Sequence, residues 1–364
     1  MPSSQKVVLR TRSRIQWMGR HSGYDRGCDF LEDAAEDWRF VDIYRRTDSL
    51  GPLRRRYFDR RRRGCSKSPL YDAHSYLLER EVQRAAGRER PDLVHLMYLE
   101  KDFGLLADRT RTDGCALIAT AHQPRSWWTL VHGNPEAVSS LDGLVALTDR
   151  EAEFWDEVLP GRVFVVPHGA DVDFFCPAAE TFKRSSEPRC LVVGHWLRDL
   201  RTLADVVDLL LERHPAIGFD FVIPLVARSA DELLRVARHD HVVFHAGLSD
   251  DELRDLYRRS TLLLLPLLDA TANNAILEAQ ACGTPIVSTD VRGVASYVDS
   301  SFADLLPVGD VDGIVDAVIR IVESDGEREG RGRAARAHAV EHLSWERLAP
   351  RMLEVYECVL QRAE

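Results

Sequence analysis

The sequence predicts an α/β protein in which two doubly wound domains face each other across a cleft. Short apolar runs of about five residues recur along the 364-residue chain, a pattern typical of buried parallel strands. Amphipathic segments of helical period separate these runs, as expected of βαβ units. A stretch rich in proline, serine and charge interrupts the alternation once. We therefore expect a first domain over residues 1–176, a linker over 177–189, a second domain over 190–343 and a C-terminal helix over 344–364.

The strands are predicted from the apolar runs, and the helices lie between them. In the first domain these runs are Val7–Leu9, Phe40–Ile43, Leu93–Leu96, Ala116–Thr120, Leu144–Leu147 and Val163–Val166. In the second they are Cys190–Val193, Phe219–Ile223, Val242–His245, Thr261–Leu265, Pro285–Ser288 and Leu305–Leu306. Ser249 and Glu252 have the spacing of a capping box and predict the start of a helix. Ligands of such sheets bind beyond the carboxyl ends of the strands, so we expect the site there.

Composition excludes several classes of protein. The formal charge is -10, which argues against a surface built to bind nucleic acid. The seven cysteines are scattered and form no C-x-x-C pair, so we expect reduced thiols and neither a disulfide framework nor a zinc site. No apolar run approaches about 18 residues, and the N-terminus lacks the pattern of an export signal. We expect a cytoplasmic protein.

One basic segment stands out against the acidic whole. The stretch LRRRYFDRRRRG, residues 53–64, places seven arginines around Tyr57 and Phe58. Arg54–Arg63 could contact an anionic membrane surface or a phosphorylated acceptor. A solvated basic loop is the alternative.

The segment from Leu262 to Val294 is the most informative part of the chain. We expect a buried strand, a polar loop over residues 269–273, and a helix that begins near Asn274. The N–H groups of Ala272, Asn273 and Asn274 would then face the cleft, where unpaired N–H groups and the positive helix end favour a phosphate. Glu278, about one turn later, could accept hydrogen bonds from the vicinal hydroxyls of a ribose. Taken singly, these residues could be a turn residue, an N-cap and an exposed helix carboxylate.

The pattern N-A-I-L-E-A-x-A-C-G-x-P-I-V in this segment resembles the donor-site helix of glycosyltransferase family 4. Further matches follow in the order expected for the family, namely VVPHGADVDFFCP at 165–177, LVVGHWLRDLRTL at 191–203, VVFHAGLSDDELRDLY at 242–257 and LSWERLAP at 343–350. The resemblance is strong over residues 160–350 and weaker before them. It implies the GT-B fold, with two facing Rossmann-like domains and a C-terminal helix that crosses back to the first domain.

The resemblance also implies a retaining hexosyltransferase that takes a nucleotide-diphosphate sugar as donor and needs no cofactor and no metal. Asp171 with Asp173, and Asp310 with Asp312, form DVD triplets, and a junction turn and a helix start are the more ordinary interpretation of these acids. We predict no catalytic metal.

Two departures from the family pattern concern the donor. The family has two glutamates eight positions apart, but Ala270 stands eight positions before Glu278 and Asp269 stands nine before it. Asp269 could still reach the sugar, or Asn273 could replace it. The family's diphosphate-binding arginine and lysine are also out of register, because His195 follows Gly194.

Arg198 and Arg201 are the nearest cations to Gly194, and at least one of them should neutralise the leaving diphosphate. An exposed loop arginine is the alternative for each. We expect Arg198, Asp269 and His122 to act in catalysis.

In the first domain, Ser22 and Gly23 lie where the family has a glycine-rich turn near the donor phosphate. His122 matches a family position near the donor sugar, although a histidine at a strand end is often structural. The acceptor candidates are Tyr98, Glu100, Lys101, Trp127 and Trp128, with core packing as the alternative for the two tryptophans.

Two other classes of function fit the same pattern. A nucleotide-sugar epimerase or hydrolase would use the same donor pocket. A non-catalytic module that binds sugar nucleotides would explain the shifted first acid and the missing lysine. A nicotinamide-dependent oxidoreductase fits poorly, because no G-x-G-x-x-G follows the first strand.

Overall fold

The computed structural model describes residues 5–13, 19–47, 49–108, 114–179 and 187–363. Within these residues, twelve parallel strands form two six-stranded sheets. The chain divides into two units, each containing one sheet. The first unit takes its described residues from 1–16, 24–168 and 346–364, and the second from 17–23 and 169–345.

The sheet of the first unit has the strand order β2-β1-β3-β4-β5-β6. Its strands are β1 Lys6–Arg12, β2 Trp38–Tyr44, β3 Leu93–Leu96, β4 Ala116–Thr120, β5 Gly143–Ala146 and β6 Val163–Val165. Its helices are α1 Gly27–Asp33, α2 Pro52–Arg62, α3 Ala73–Glu89, α4 Leu99–Asp102, α5 Arg125–Leu130 and α6 Asp149–Val158. The long helix α14, Trp345–Ala363, places Tyr356 against His95 of β3. A hydrogen bond of 2.8 Å joins the Tyr356 hydroxyl and His95 Nδ1.

The sheet of the second unit has the strand order β12-β11-β10-β7-β8-β9. Its strands are β7 Arg189–Val193, β8 Gly218–Val222, β9 Val242–His245, β10 Leu262–Leu265, β11 Ile286–Thr289 and β12 Ala303–Leu306. Its helices are α7 Leu200–Arg213, α8 Asp231–Val236, α9 Asp250–Arg259, α10 Asn274–Cys282, α11 Arg292–Ala295, α12 Val311–Glu323 and α13 Asp325–His338. The order reverses between β10 and β7, so the carboxyl ends of these strands mark the switch point where ligands of such sheets bind.

Alternation of buried side chains explains why the central strands of the second unit are apolar throughout. On β10, Leu263 and Leu265 pack in one core, which contains α10, while Leu262 and Leu264 pack in the other, which contains α7 and α12. Helices cover both faces, and each face removes apolar surface from water. The predicted strands and the GT-B class of fold are confirmed, and the predicted capping box of Ser249 and Glu252 is present at the start of α9.

The division between the units comes earlier in the chain than the sequence predicted. The first domain was expected to extend to residue 176, but residues 169–176 belong to the second unit. Ala170, Val172 and Phe175 are buried in its core beside α10. The boundary is therefore set by the core in which these apolar residues are buried, and not by the proline-rich stretch that follows them. Residues 19–23 also belong to the second unit, although they follow β1 in the chain.

Candidate functional site

The start of α10 lies just beyond the carboxyl end of β10. Asn273 is its N-cap, and its side-chain oxygen accepts the N–H of Ala275 at 3.1 Å. The main-chain carbonyl of Asn273 accepts the N–H groups of Ile276 and Leu277 at 3.0 and 3.2 Å. Among the described residues, the N–H groups of Ala272 and Asn273 donate to no protein acceptor. The helix start that the sequence predicted is confirmed, and it leaves donors available to a bound anion.

The turn after β7 brings Arg198 to the same helix start. Its guanidinium donates to the carbonyls of Val193, at 2.7 Å, and Trp196, at 2.9 Å. It also reaches the side-chain oxygen of Asn273 at 3.5 Å. Arg198 forms no ion pair with a carboxylate in the part of the chain that the structure describes. Burial therefore lowers its pKa to about 10, and the group remains a cation held only by neutral oxygens.

Glu278 faces the interior of the second unit, one turn into α10. Only 5% of the residue is exposed, which excludes the alternative of an exposed helix carboxylate. The Tyr257 hydroxyl of α9 donates to its Oε2 at 2.8 Å. Burial raises the pKa of Glu278 to about 7, and the nearby Ser22 and Tyr257 hydroxyls oppose this rise. At neutral pH this carboxyl therefore lies close to its ionisation midpoint.

The other donor candidates of the second unit lie less centrally. Asp269 is half-buried, and its Oδ1 accepts the N–H of Ala270 at 2.8 Å, as a turn residue does. Arg201 is exposed in the first turn of α7. Gly194 forms the turn below Arg198 with a φ of 77°. Arg198 contacts Asn273, and Tyr257 lies near both Arg198 and Glu278. The structure thus brings Arg198, Asn273 and Glu278 together, whereas Arg201 points to solvent.

Residues 19–23 pack against α9 and α10, within the second unit. The N–H of His21 donates to Asp250 Oδ2 at 3.1 Å. The Ser22 hydroxyl is buried beside Glu278 and makes no hydrogen bond of good geometry with a described residue. Ser22 thus lies in the same site as Glu278, while the sequence predicted only that it lies near the phosphate.

His122 follows β4 in the first unit and is held on three sides. Its Nε2–H donates to the carbonyl of Met97 at 2.8 Å, and its ring stacks on Tyr98 with centroids 4.5 Å apart. The buried Glu100 carboxylate accepts the N–H groups of His122 and Gln123 at 2.7 and 2.8 Å. Burial lowers the pKa of His122 to about 3, so the imidazole is neutral at physiological pH and can accept a hydrogen bond at Nδ1.

Two tryptophans proposed for the acceptor are core residues. Trp127 and Trp128 are 3% and 2% exposed, and Trp128 packs edge-on against Trp155 at 5.2 Å. They cannot offer a face to a sugar ring, so this expectation is wrong and the core alternative holds. Tyr98 and Lys101 are half-buried beside the buried acids Asp25 and Asp102.

The basic segment forms the exposed helix α2 and not a loop. None of its residues is buried, and Leu53 and Tyr57 are 85% and 53% exposed. Asp59 is its one acid and pairs with Arg62 at 2.8 Å. The arginines Arg54, Arg55, Arg56, Arg60, Arg61 and Arg63 extend into solvent.

Both DVD triplets have ordinary structural partners. Asp310 caps α12 by accepting the N–H of Gly313 at 3.0 Å, and Asp171 accepts a hydrogen bond from His21 at 2.7 Å. The described residues contain no group of three or more His, Cys, Asp or Glu placed to hold a metal ion. The seven cysteines form no disulfide. None of the described helices has the length and apolar character needed to cross a membrane.

Sequence reasoning missed four residues of this site: Tyr257, Asp250, His21 and Asp171. The sequence predicted the start of α9 from Ser249 and Glu252 but not that the Tyr257 hydroxyl on this helix would meet the Glu278 carboxylate. Asp250 lies in the first turn of α9, and no sequence pattern indicated its contact with His21. The contacts of His21 connect residues 150 and 229 positions apart, and no local pattern reports contacts of that range.

Known proteins resemble this chain in sequence and in fold. Residues 187–324 match the family model described as "Glycosyl transferases group 1". A D-inositol 3-phosphate glycosyltransferase of Actinosynnema mirum is 31% identical over 318 residues, which cover 76% of this chain and 75% of that protein.

Two solved structures share the fold. Sucrose-phosphate synthase of Thermosynechococcus elongatus has a TM-score of 0.74 at 16% identity and covers 98% of this chain and 100% of its own. Anabaena Alr3699/HepE in complex with UDP and glucose has a TM-score of 0.67 at 12% identity and covers 96% and 99%. Together, the family model and the Actinosynnema relative show that the chain belongs to the glycosyl transferases group 1 family.

Proposed function

We propose that this glycosyltransferase is a retaining enzyme that moves a hexose-type sugar from a nucleotide-diphosphate sugar to a hydroxyl acceptor. One observation carries the donor half of the proposal. Arg198 is a buried cation without a carboxylate partner among the described residues, and it lies beside the N-cap of α10. A buried charge without its counter-ion costs free energy, and an anionic ligand would supply that counter-ion.

The diphosphate would bind between Arg198 and the start of α10. A guanidinium matches the geometry of phosphate oxygens, and the N–H groups of Ala272 and Asn273 would donate to the same anion. The positive end of the helix dipole adds to this attraction. Asn274 and Gly194 would shape the site, and Arg201 would contribute only a distant, solvent-screened charge.

The ribose would bind at Glu278. An ionised carboxylate accepts hydrogen bonds from two vicinal hydroxyls, and Tyr257 already holds one of its oxygens in place. A nucleoside with an intact ribose therefore fits this end of the site. A uridine nucleotide is our first choice, because the Anabaena structure of the same fold is described with UDP and glucose.

The reaction needs charge stabilisation more than a strong protein base. The bond between the anomeric carbon and the diphosphate oxygen breaks, and the acceptor oxygen forms a bond on the same face of the sugar. The proton of the acceptor hydroxyl passes to an oxygen of the leaving diphosphate. Arg198 and the start of α10 would stabilise the negative charge that grows on that group, so we assign no metal to the step.

Two further residues would contact the sugar. Neutral His122 can accept a hydrogen bond from a sugar hydroxyl at Nδ1, but with a pKa of about 3 it cannot donate a proton at neutral pH. Asp269, nine positions before Glu278, is half-buried in the loop before α10 and would bind a second hydroxyl through its carboxylate. Both roles follow from the family resemblance.

The acceptor would carry a phosphate on a polyol. The Actinosynnema relative is named for an inositol phosphate, and half-buried Lys101 and Tyr98 in the first unit offer a cation and a hydroxyl to such a molecule. The exposed arginines of α2 would provide a separate contact with an anionic membrane surface.

A binding and turnover experiment tests the donor assignment. Thermal unfolding is measured with UDP, GDP and ADP sugars, and the donor that binds should raise the melting temperature by mass action. Glu278→Ala should remove that rise, whereas Glu212→Ala, an exposed acid on α7, should keep it. If no sugar nucleotide shifts the wild-type transition, the donor proposal fails.

Product analysis separates the remaining alternatives. Incubation of the donor alone would yield an epimer or free sugar if the chain were an epimerase or hydrolase. Binding without turnover on any acceptor would indicate a non-catalytic module. Transfer with retained anomeric configuration, read by NMR, is the result we expect.

A further inference from the structure

Residues 19–23, which we call the strap, make close contacts with the rest of the second unit. A Cβ added to Gly19 would lie 1.1 Å from Asp250 Oδ1, so a side chain here would displace that carboxylate. The N–H of His21 donates to the other oxygen of the same carboxylate at 3.1 Å. The strap therefore lies against the first turn of α9, and Asp250 contacts it at Gly19 and accepts one hydrogen bond from it.

The side chain of His21 adds a hydrogen bond and a stacking contact. Its Nδ1–H donates to Asp171 Oδ2 at 2.7 Å, and the Asp171 side chain is only 3% exposed. The imidazole ring stacks on Phe174 with centroids 3.7 Å apart and planes 8° apart. A buried carboxylate and a stacked ring fix both the position and the tilt of the imidazole.

Ser22, the next residue of the strap, has its hydroxyl near the Glu278 carboxyl. The hydroxyl is buried and lacks a hydrogen bond of good geometry to a described residue, yet it lies close enough to lower the pKa of the carboxyl. A hydroxyl facing a carboxylate is also the contact that a ribose would make. A poorly bonded hydroxyl is easier to replace than a well-bonded one, because less hydrogen-bond energy is lost.

We propose that the strap occupies the ribose subsite when no nucleotide is bound, and that the nucleotide displaces Ser22 from Glu278. This inference rests on the proposed function, because it assigns the Glu278 subsite to a ribose. The contacts of His21 with Asp171, Phe174 and Asp250 then oppose binding, since they must loosen before the ribose can enter. Weakening them should strengthen nucleotide binding.

Titration calorimetry with UDP, GDP and ADP tests the direction of this effect. His21→Ala should lower the Kd of the nucleotide that binds the wild type by about three- to tenfold. Asp171→Asn, which keeps the size of the side chain, should lower it in the same direction. His239→Ala is the matched control, because His239 forms a similar contact with Asp208 at 2.6 Å on α7 and lies outside the strap.

Hydrogen exchange supplies a second readout. Amides of residues 19–23 should exchange faster when the nucleotide is bound, because the strap has left the subsite. Weaker binding by His21→Ala and Asp171→Asn, or slower exchange in the strap, would mean that the strap holds the nucleotide, and the inference would be wrong. An unchanged Kd in both variants would also overturn it. If the wild type and both variants bind no nucleotide, the proposed function itself fails.

Discussion

Tyr257 donates a hydrogen bond to the Glu278 carboxylate at 2.8 Å inside the second unit. The contact joins α9 to α10 and stabilises the ionised form of a carboxyl whose pKa burial raises to about 7. A buried acid with this pKa is half ionised near neutral pH, so a ligand that needs the charged form binds in competition with protons.

Nucleotide binding should therefore depend on pH through Glu278. Ribose hydroxyls donate to the ionised carboxylate, so the affinity for the nucleotide should rise between pH 6 and 8. Tyr257→Phe removes a hydrogen bond that lowers the pKa of Glu278, and its binding curve should shift to higher pH. Titration calorimetry at four pH values measures both effects. Glu278→Gln should bind weakly with a flat profile, and a pH profile equal to that of the wild type would exclude Glu278 as the titrating group.

Arg198 should matter for the phosphates and not for the nucleoside. Arg198→Met removes a charge-assisted hydrogen bond, which corresponds to about 10- to 100-fold weaker binding of a nucleoside diphosphate. Binding of the nucleoside should change little. Arg213→Met, at the exposed end of α7 beside Asp312 and Asp316, is the matched control. Equal losses for the nucleoside and the diphosphate would contradict this placement.

The buried Glu100 should make stability depend on pH. Burial raises the pKa of Glu100 to about 7 from 4.5, so the folded chain retains a proton that the unfolded chain releases between about pH 5 and 7. The stability that the protonated Glu100 carboxyl contributes is fully present below pH 4.5 and is lost as the pH rises from about 5 to 7.

Glu100→Gln should therefore gain stability relative to the wild type between pH 5 and 8, by up to about 3 kcal/mol. Urea unfolding at the two pH values measures the difference. Glu157→Gln, an exposed acid on α6, serves as the control and should show no such change. A constant difference between Glu100→Gln and the wild type would show that Glu100 is ionised throughout.

Helix α2 should bind anionic vesicles in a salt-sensitive way. Its arginines are exposed around Leu53 and Tyr57, and each basic residue near an anionic surface contributes about 1 kcal/mol. Replacement of Arg54, Arg55 and Arg56 by glutamine should abolish sedimentation with vesicles that contain phosphatidylserine. Replacement of Arg333, Arg328 and Arg235 on the second unit should leave it intact. Sedimentation that persists at high salt, or none at low salt, would exclude the membrane contact.

Periodicity predicted the fold well because it reports burial directly. Leu93–Leu96 and Ala116–Thr120 were located to the residue, and both strands are buried along their whole length, since a strand covered on both faces is mostly apolar. The edge strand Val242–His245 was also located to the residue, although Val243 is 42% exposed. Periodicity reports that a residue is buried but not in which core, and for this reason the predicted boundary at residue 176 differs from the division seen in the structure. Ala170 and Phe175 are apolar in either unit, and only the packing decides which core covers them.

The candidate site was predictable only where it is local. The cap at Asn273 and the acid one turn later belong to one helix, so their spacing carries the information. Arg198 was found through its nearness to Gly194, but its missing counter-ion depends on every residue around it. Tyr257 and His21 reach the site from distant parts of the chain, and no spacing rule connects them with Glu278.

Gly293 on α11 lies directly against the loop that precedes α10. A Cβ at this position would lie 1.8 Å from the main-chain oxygen of Ala270, so the loop before α10 presses directly on the backbone of α11. A side chain at position 293 would therefore push the main chain of Ala270 and Thr271 away from α11. A substitution at Gly293 would thus act on the proposed donor site through the main-chain path that leads into α10.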